Sequence, residues 1–246
     1  MGAARPHRYE YPRPLATVDV VPICLANGRL MVGTLVREEE SARGRRALPG
    51  GFVRPGEDAD VESAALRVLK DKAGVAPQHL EQLAVFSGAE RDPREWSLSV
   101  SFLAVLPPLP DGPDADDAVR DDKPASEAPR AALDLTPLDE TPPLAFDHDH
   151  IVREAIARLR SKAGYSSLPL HLLAEPFTLS QAHAAYELAL EGPLDRAAFR
   201  RKILDAGFLI ETDRMTRAHG RAARPARLYR RAESLLFTPR NFTAGR

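Results

Sequence analysis

The sequence predicts an α+β fold class with two domains. A chain of 246 residues is long enough to build two hydrophobic cores. The first two-thirds mix β-branched strand patterns with amphipathic helices, whereas the last third has the order helix, turn, helix, strand, basic loop, strand. We therefore predict one domain at 1–164 and a second at 165–246.

The charge of the chain is divided unevenly between these two parts. From Tyr165 onward there are 13 Lys and Arg against 8 Asp and Glu, so this part carries a net charge of +5 and residues 1–164 carry −6. A basic domain beside an acidic one predicts a polyanionic partner for the basic domain.

The composition also bears on the compartment. No apolar run approaches the ~20 residues that span a bilayer, and residues 1–14 lack the apolar core of a secretory signal. Cys24 is the only cysteine, which excludes an intrachain disulfide, and its apolar neighbours predict a buried strand position. We expect a cytoplasmic protein with no membrane partner.

The N-terminal domain opens with a predicted hairpin. Residues 15–25 and 29–36 have strand character, and Asn27-Gly28 between them is a strong hairpin signal. A Pro-Gly-Gly turn follows at 49–51. A helix is predicted over 60–73, with Asp60 as the N-cap and Gly74 ending it, and further strands are predicted at 83–88 and 98–106.

Two connecting segments follow. Residues 107–130 are rich in Pro, Asp and Ala and poor in large apolar residues, which predicts a flexible surface insert. Residues 147–164 are predicted to form a linking helix, because the apolar side chains of 151–163 recur at helical spacing.

The C-terminal elements predict a winged helix-turn-helix, whose second helix enters the major groove of DNA. A helix ends near 190, Gly192-Pro193 breaks it, and Asp195 caps a second helix over 196–205. Short strands are predicted at 208–211 and 226–229, on either side of an Arg-rich loop. Phe199, Ile203 and Leu204 are expected to face the core.

Basic side chains of this domain are the candidate DNA contacts, because guanidinium groups suit guanine edges and phosphates. The second helix contributes four and the wing contributes four: Arg196, Arg200, Arg201, Lys202, Arg214, Arg217, Arg221 and Arg224. The alternative is a basic helix that is merely solvated.

Residues 51–75 resemble a Nudix box, G-x5-E-x7-R-E-U-x-E-E-x-G-U, in which U is aliphatic. Gly51, Glu57, Arg67 and Gly74 match its glycines, first glutamate and arginine. The resemblance implies an α/β/α sandwich with a mixed sheet, in which helix glutamates hold divalent cations that bridge a diphosphate.

The same box departs from the family pattern at its metal-binding positions. Two extra residues separate Glu57 from Arg67, Val68 replaces a glutamate, and Asp71 and Lys72 stand where an acidic pair is expected. One shortened carboxylate and a lysine are a poor site for Mg²⁺. The departures predict a protein that is not an enzyme and has no metal site.

The whole chain resembles the NrtR-type Nudix-related transcriptional regulators, over roughly residues 9–231. The segments that carry this resemblance are 11–21, 48–54, 91–94, 97–100, 144–148, 175–179, 199–202 and 224–230. It implies a homodimeric repressor of genes for NAD or related nucleotide or sugar metabolism. Such a protein binds a palindromic double-stranded DNA operator, senses ADP-ribose or a similar nucleotide, and requires no cofactor.

A nucleotide diphosphate needs cationic or amide donors and an aromatic or apolar wall. The predicted ligand-binding residues are Arg37, Gly50, Gly51, Arg54, Glu57, Arg67, Arg91, Asp92 and Arg94, with Phe52 and Trp96 close to them in sequence. For Arg67 a structural salt bridge is the competing interpretation, and Trp96 is expected in the core rather than against a base. His148 could serve the pocket or an interface.

Two other functions remain open from the sequence. The first is an active Nudix hydrolase of a nucleoside diphosphate compound with an accessory C-terminal domain. The second is a DNA-binding protein in which the Nudix domain only dimerises.

Overall fold

A computed structural model describes residues 13–108, 133–216, 225–233, 235–239 and 242–243. The predicted insert at 107–130 lies outside these ranges except for Pro107 and Pro108. Three predicted wing contacts, Arg217, Arg221 and Arg224, also lie outside them.

Seven strands form the N-terminal sheet. They are β1 Leu15–Ala26, β2 Arg29–Val36, β3 Arg46–Ala47, β4 Gly50–Phe52, β5 His79–Gly88, β6 Ser97–Val105 and β7 Asp134–Pro137. The central path runs β3-β2-β1-β6-β5, with β4 paired to β1 and β7 paired to β2. Because β1 and β6 run parallel while the other pairs are antiparallel, the sheet is mixed as the sequence predicts.

Four α-helices and three further strands complete the α-helices and strands of the described residues. They are α1 Val61–Ala73, α2 His148–Ala163, α3 Leu179–Leu190, α4 Arg196–Asp205, β8 Phe177–Thr178, β9 Leu209–Met215 and β10 Arg227–Arg231. A 3-10 turn at Leu168–Leu172 joins α2 to the C-terminal part. No helix in the described ranges is long and apolar enough to cross a membrane.

Helices cover both faces of the sheet. Successive strand residues point to opposite faces, so Val18 and Val20 pack with Leu69 of α1, whereas Val21 and Ile23 pack with α2. Both faces of β1 are therefore buried, which explains its continuous apolar run. This arrangement is the predicted α/β/α sandwich.

Local signals in the sequence set the ends of the first elements. Asn27 and Gly28 both have positive φ, 50° and 67°, as a tight hairpin turn requires. The Asp60 side chain accepts a hydrogen bond from the Ser63 amide at 2.7 Å, and Gly74 adopts the left-handed conformation after α1. These predictions are confirmed.

The C-terminal elements have the predicted order. Thr178 and Gln181 form a capping box at the start of α3, and Asp195 caps α4 by accepting from the Ala198 amide at 2.7 Å. Strands β8, β10 and β9 form a small antiparallel sheet, in which β9 and β10 are the two sides of the wing.

The turn between α3 and α4 is held by two side chains that the sequence analysis did not single out. The His183 ring contacts the Leu194 carbonyl oxygen at 2.9 Å, and Glu187 accepts from the Leu194 amide at 2.9 Å. His183 Nδ1 also lies 3.2 Å from Glu187. These contacts fix the angle at which α4 leaves α3.

Two expectations are wrong. The predicted turn at 49–51 is shorter, because Gly50 and Gly51 belong to β4 and pair with β1. Leu204 is 42% exposed, whereas Phe199 and Ile203 are buried as expected. Leu204 lies four residues after Arg200, so it shares the outward face of α4 with that arginine.

The linking helix packs against both parts of the chain. Its apolar face joins one cluster that contains Val21 and Leu103 of the sheet together with Leu172 and Ala189 of the C-terminal part. The hydrophobic core is therefore continuous from the mixed sheet, through α2, to α3.

Candidate functional site

A cleft of about 360 Å³ opens where β1, β4, α1 and the start of α2 meet. Its size is within the range of small-molecule sites. The residues that line it come from all of these elements: Thr17, Asp19, Arg37, Glu39, Leu48, Gly50, Gly51, Phe52, Arg54, Arg67, Val68, Asp71, Lys72, Arg91, Asp92, Arg94, Phe146 and His148.

The cleft brings together most of the residues predicted for ligand binding. Of the nine, only Glu57 is not part of the lining; its exposed carboxylate accepts from Arg54 at 2.8 Å. Their role in binding stays a prediction. Trp96 is also outside the lining and is 49% exposed, so its predicted core position is wrong.

The floor of the cleft is a buried aspartate that the sequence analysis overlooked. Asp19 lies within β1 and accepts hydrogen bonds from Arg91 and, at 2.7 Å, from the Ser99 hydroxyl. A carboxylate inside an apolar strand needs such partners, because burying an unpaired charge is costly. The charge of Asp19 within a run of apolar residues was the available signal.

His148 lies beside Asp19 at the first turn of α2. Its Nδ1 accepts from the Leu48 amide at 2.9 Å, so the neutral ring carries its proton on Nε2. That nitrogen faces Asp19 at 3.6 Å. Burial lowers the pKa of His148, which favours the neutral form.

Gly50 is required by this floor. A Cβ at this position would lie 2.2 Å from the Asp19 carboxylate and 3.1 Å from the Val18 carbonyl oxygen. Any side chain at Gly50 would therefore displace the Asp19 carboxylate.

Arg91 joins the floor of the cleft to the linking helix. Its Nη2 donates to Asp19, and its Nε donates at 2.8 Å to Asp147, which immediately precedes α2. The Arg91 side chain is only 9% exposed. A buried guanidinium with two carboxylate partners is a strong restraint on the position of the helix end.

Arg67 makes the structural salt bridge that was one of its two interpretations, and it also lines the cleft. It donates to both oxygens of Asp58, at 2.7 and 2.8 Å, and to the Phe52 carbonyl at 3.0 Å. The hydrogen bonds from Arg67 lower the pKa of Asp58 to about 2. This pair holds the loop before α1 against the helix, and Asp58 was not predicted.

Two further arginines combine with aromatic rings on the cleft walls. Arg94 donates to both oxygens of Asp92, at 2.9 and 2.6 Å, and its guanidinium lies 5.2 Å from the centre of the Phe52 ring. Arg37 lies 4.9 Å from the centre of the Phe146 ring. Such pairs present a flat apolar surface beside positive charge.

The cleft does not fit the divalent cation that Nudix hydrolases use. Among its acidic side chains, Asp19, Asp92 and Glu39 each face an arginine, and Glu39 is 3.5 Å from Arg37. Asp71 is the one box carboxylate in the lining. Within the described ranges, no three His, Cys, Asp or Glu side chains are grouped to hold a metal ion.

A second candidate site is the outer face of α4. Arg196, Arg200 and Arg201 are exposed there, and within the described part of the chain none of them is in an ion pair. Lys202 is half-buried, with its Nζ 6.0 Å from the centre of the Phe242 ring. Arg214 is half-buried on β9. Whether these residues contact DNA stays a prediction.

Comparison with known proteins finds two domain families in this chain. The NUDIX domain matches residues 13–157, and the NrtR DNA-binding winged helix domain matches residues 169–231. The chain is 34% identical to the ADPR responsive transcriptional repressor NtrR of Acinetobacter baylyi, over 92% of this chain and 86% of that protein.

Solved structures agree with this assignment. Shewanella oneidensis NrtR in complex with a 27mer DNA is similar with a TM-score of 0.77 and 31% identity, over 92% of this chain and 99% of that one. The NUDIX domain of the same NrtR in complex with ADP ribose is similar with a TM-score of 0.50 and 30% identity, over 61% of this chain and 90% of that one. With a cation-lined cleft in its Nudix domain and a winged helix behind it, this chain belongs to the NrtR family of Nudix-related transcriptional regulators.

Proposed function

We propose that this chain is a transcriptional repressor that binds double-stranded DNA through its winged helix and senses ADP-ribose in its Nudix cleft. The arrangement that carries the proposal is a basic, exposed α4 joined by one packed helix to a cleft rich in arginine. The DNA-binding and ADP-ribose-binding relatives support the two halves of this proposal.

The proposed DNA contacts are Arg196, Arg200 and Arg201 on α4. Arg196 and Arg200 are four residues apart and therefore share one helical face, which a recognition helix turns toward base edges. Because a palindromic operator matches a two-fold symmetric protein, we propose that the chain acts as a homodimer. We place the boundary between its two domains at Gly164 and Tyr165, and the control of genes for NAD metabolism stays a prediction.

The proposed ligand lies in the cleft with its diphosphate near the arginines and its flat parts against Phe52 or Phe146. Among the described residues, six cationic side chains line the cleft, and each is also paired with a carboxylate of the protein, so a diphosphate would share these cations or displace their partners. We also propose that the ligand is bound without being hydrolysed, because Val68 and Lys72 replace two of the carboxylates that would hold catalytic Mg²⁺.

Release from DNA would follow if ADP-ribose binds better to a conformation in which α4 is misplaced. The start of α2 contacts the cleft through Arg91 and His148, and the same helix packs against α3. A ligand that changes the contacts of Arg91 would change the restraint on Asp147 and move the helix. We propose this as the path of coupling.

The test uses the full chain and a labelled duplex that the protein selects from random sequence. Fluorescence anisotropy should show tight binding that saturating ADP-ribose weakens at least about tenfold, within the usual range of allosteric coupling. Chromatography of ADP-ribose incubated with the protein and Mg²⁺ should show no AMP. Formation of AMP at enzymatic rates would instead favour the hydrolase.

A substitution on α4 tests whether this helix contacts DNA. Arg200→Ala should weaken DNA binding. If the side chain contacts phosphate, the slope of log affinity against log salt concentration should fall in magnitude by about 1, as for one counterion fewer released. Arg153→Ala is the matched control, because Arg153 is exposed on α2 away from α4. Equal DNA affinity for the two variants would contradict the assignment.

A further inference from the structure

Lys72 occupies an unusual place in the cleft. It lies on the last turn of α1, where the Nudix box has a metal-binding glutamate, and it lines the cleft together with Val68 and Asp71. The chain has therefore replaced a carboxylate by an ammonium group at a position whose ordinary function is to hold a positive ion.

The lysine is only loosely held by the protein. Its side chain is 38% exposed, and its Nζ is 3.9 Å from the nearest oxygen of Glu39, at the limit of an ion pair. Glu39 is also shared with Arg37 at 3.5 Å. An exposed pair of this length contributes little to stability, so a role in holding the fold does not explain the lysine.

Two of the carboxylates that line the cleft are already bound by donors of the protein. Asp92 is bound on both oxygens by Arg94, and Asp19 is bound by Arg91 and Ser99. A divalent cation would have to break these bonds to gain hard oxygen ligands. An anion that enters the cleft would therefore be bound by the lysine and arginine side chains that line it.

We propose that Lys72 takes over the electrostatic role of the divalent cation, so that this chain binds the diphosphate of its ligand without a metal. An ammonium group can donate to phosphate oxygens as a compact point charge. It neutralises bound phosphate, but unlike a metal ion it does not activate water for attack. This inference rests on the proposed function, in which the ligand carries a diphosphate.

The experiment is calorimetric titration of the full chain with ADP-ribose, in buffer with excess EDTA and in buffer with Mg²⁺. We expect the same Kd, within about twofold, under both conditions. Lys72→Ala should weaken binding by about 10- to 100-fold, the range of a lost charged hydrogen bond. Lys70→Ala is the matched control, because Lys70 is exposed on the same helix and outside the cleft.

The reciprocal variant sharpens the test. Lys72→Glu restores a box carboxylate beside Asp71, so it should abolish binding in EDTA and recover part of it in Mg²⁺. Circular dichroism melting of each variant checks the fold.

Three results would contradict the proposal. Wild-type binding that needs Mg²⁺, or a Lys72→Ala variant that binds as tightly as Lys70→Ala, would overturn this inference alone. A wild-type protein that binds no ADP-ribose under either condition would overturn the proposed function as well.

Discussion

Glu81 connects the sheet to the linking helix through hydrogen bonds to two basic side chains of that helix. Glu81 lies on β5 and is 11% exposed. Its carboxylate accepts from Lys162 at 2.6 Å and from Arg158 at 3.3 Å, both on α2, and contacts His79 at 3.0 Å. Burial raises the pKa of Glu81, but the hydrogen bonds from His79 and Lys162 outweigh it and lower the pKa to about 2.

The size of the effect follows from this pKa. A fall in the pKa of Glu81 from 4.5 to about 2 means that folding stabilises the ionised carboxylate by about 3 kcal/mol relative to the protonated form. Because the pKa is lowered on folding, this stabilisation is complete above pH 4.5 and is lost as the pH falls toward 2. Glu81→Gln keeps the shape but removes the charge, so it should cost about 2 to 3 kcal/mol at pH 7.

Urea denaturation followed by circular dichroism measures this difference. Glu140→Gln is the control, since Glu140 accepts from Arg29 at 2.8 Å but both side chains are exposed. The free energy of unfolding of the control should fall by no more than about 1 kcal/mol, because exposed ion pairs contribute little to stability. Equal losses for the two variants, or a Glu81→Gln deficit that does not shrink between pH 4.5 and 2, would refute the reasoning.

Two further predictions concern the cleft and its connection to DNA binding. Asp147→Ala removes one partner of Arg91. We expect ADP-ribose to bind at least as tightly as to wild type, because the ligand no longer competes with Asp147 for Arg91, whereas the ratio of DNA affinities without and with ADP-ribose should fall toward one. An unchanged ratio in the anisotropy assay would contradict the coupling path. Gly50→Ala forces a Cβ against Asp19 and should cost about 1 to 3 kcal/mol in urea denaturation and weaken ADP-ribose binding in calorimetry. Gly56→Ala, with open space around its Cβ position, should change neither measurement.

Much of the fold follows from local signals in the sequence. The hairpin at Asn27, the cap at Asp60 and the end at Gly74 depend on residues within four positions of each other. The same is true of the cap at Asp195. These features are predictable because the side chain and the backbone group that it satisfies are close in sequence.

The elements that were missed depend on distant partners. Strand β7 is four residues long and pairs with β2, about a hundred positions earlier, so nothing in its own sequence marks it. The buried network around Arg91 joins residues 72 and 56 positions away. Only the folded chain brings Asp19, Arg91 and Asp147 together.

The cleft was predicted better than its chemistry. The resemblance to the Nudix box and to its family identifies backbone segments that meet there, and eight of the nine predicted ligand residues line the cleft. It does not say which arginines face a ligand and which hold the protein. Arg67 makes two bonds to Asp58 and also lines the cleft, so its role in binding stays a prediction. To tell ligand-binding arginines from structural ones, one must know the hydrogen-bond partners of each guanidinium group in the folded protein.

One helix makes a sensor of this kind physically workable. The first turn of α2 forms part of the cleft through His148, its middle is buried against the sheet at Ile151 and Leu159, and its last turn is bound to Glu81. Close-packed interiors have low compressibility and transmit strain, so a displacement at the cleft end of α2 would be felt along the helix. In the proposed mechanism the ligand competes for Arg91, which binds the residue just before α2. Because α2 also packs against α3, and α3 against α4, a movement of α2 would change the position of α4.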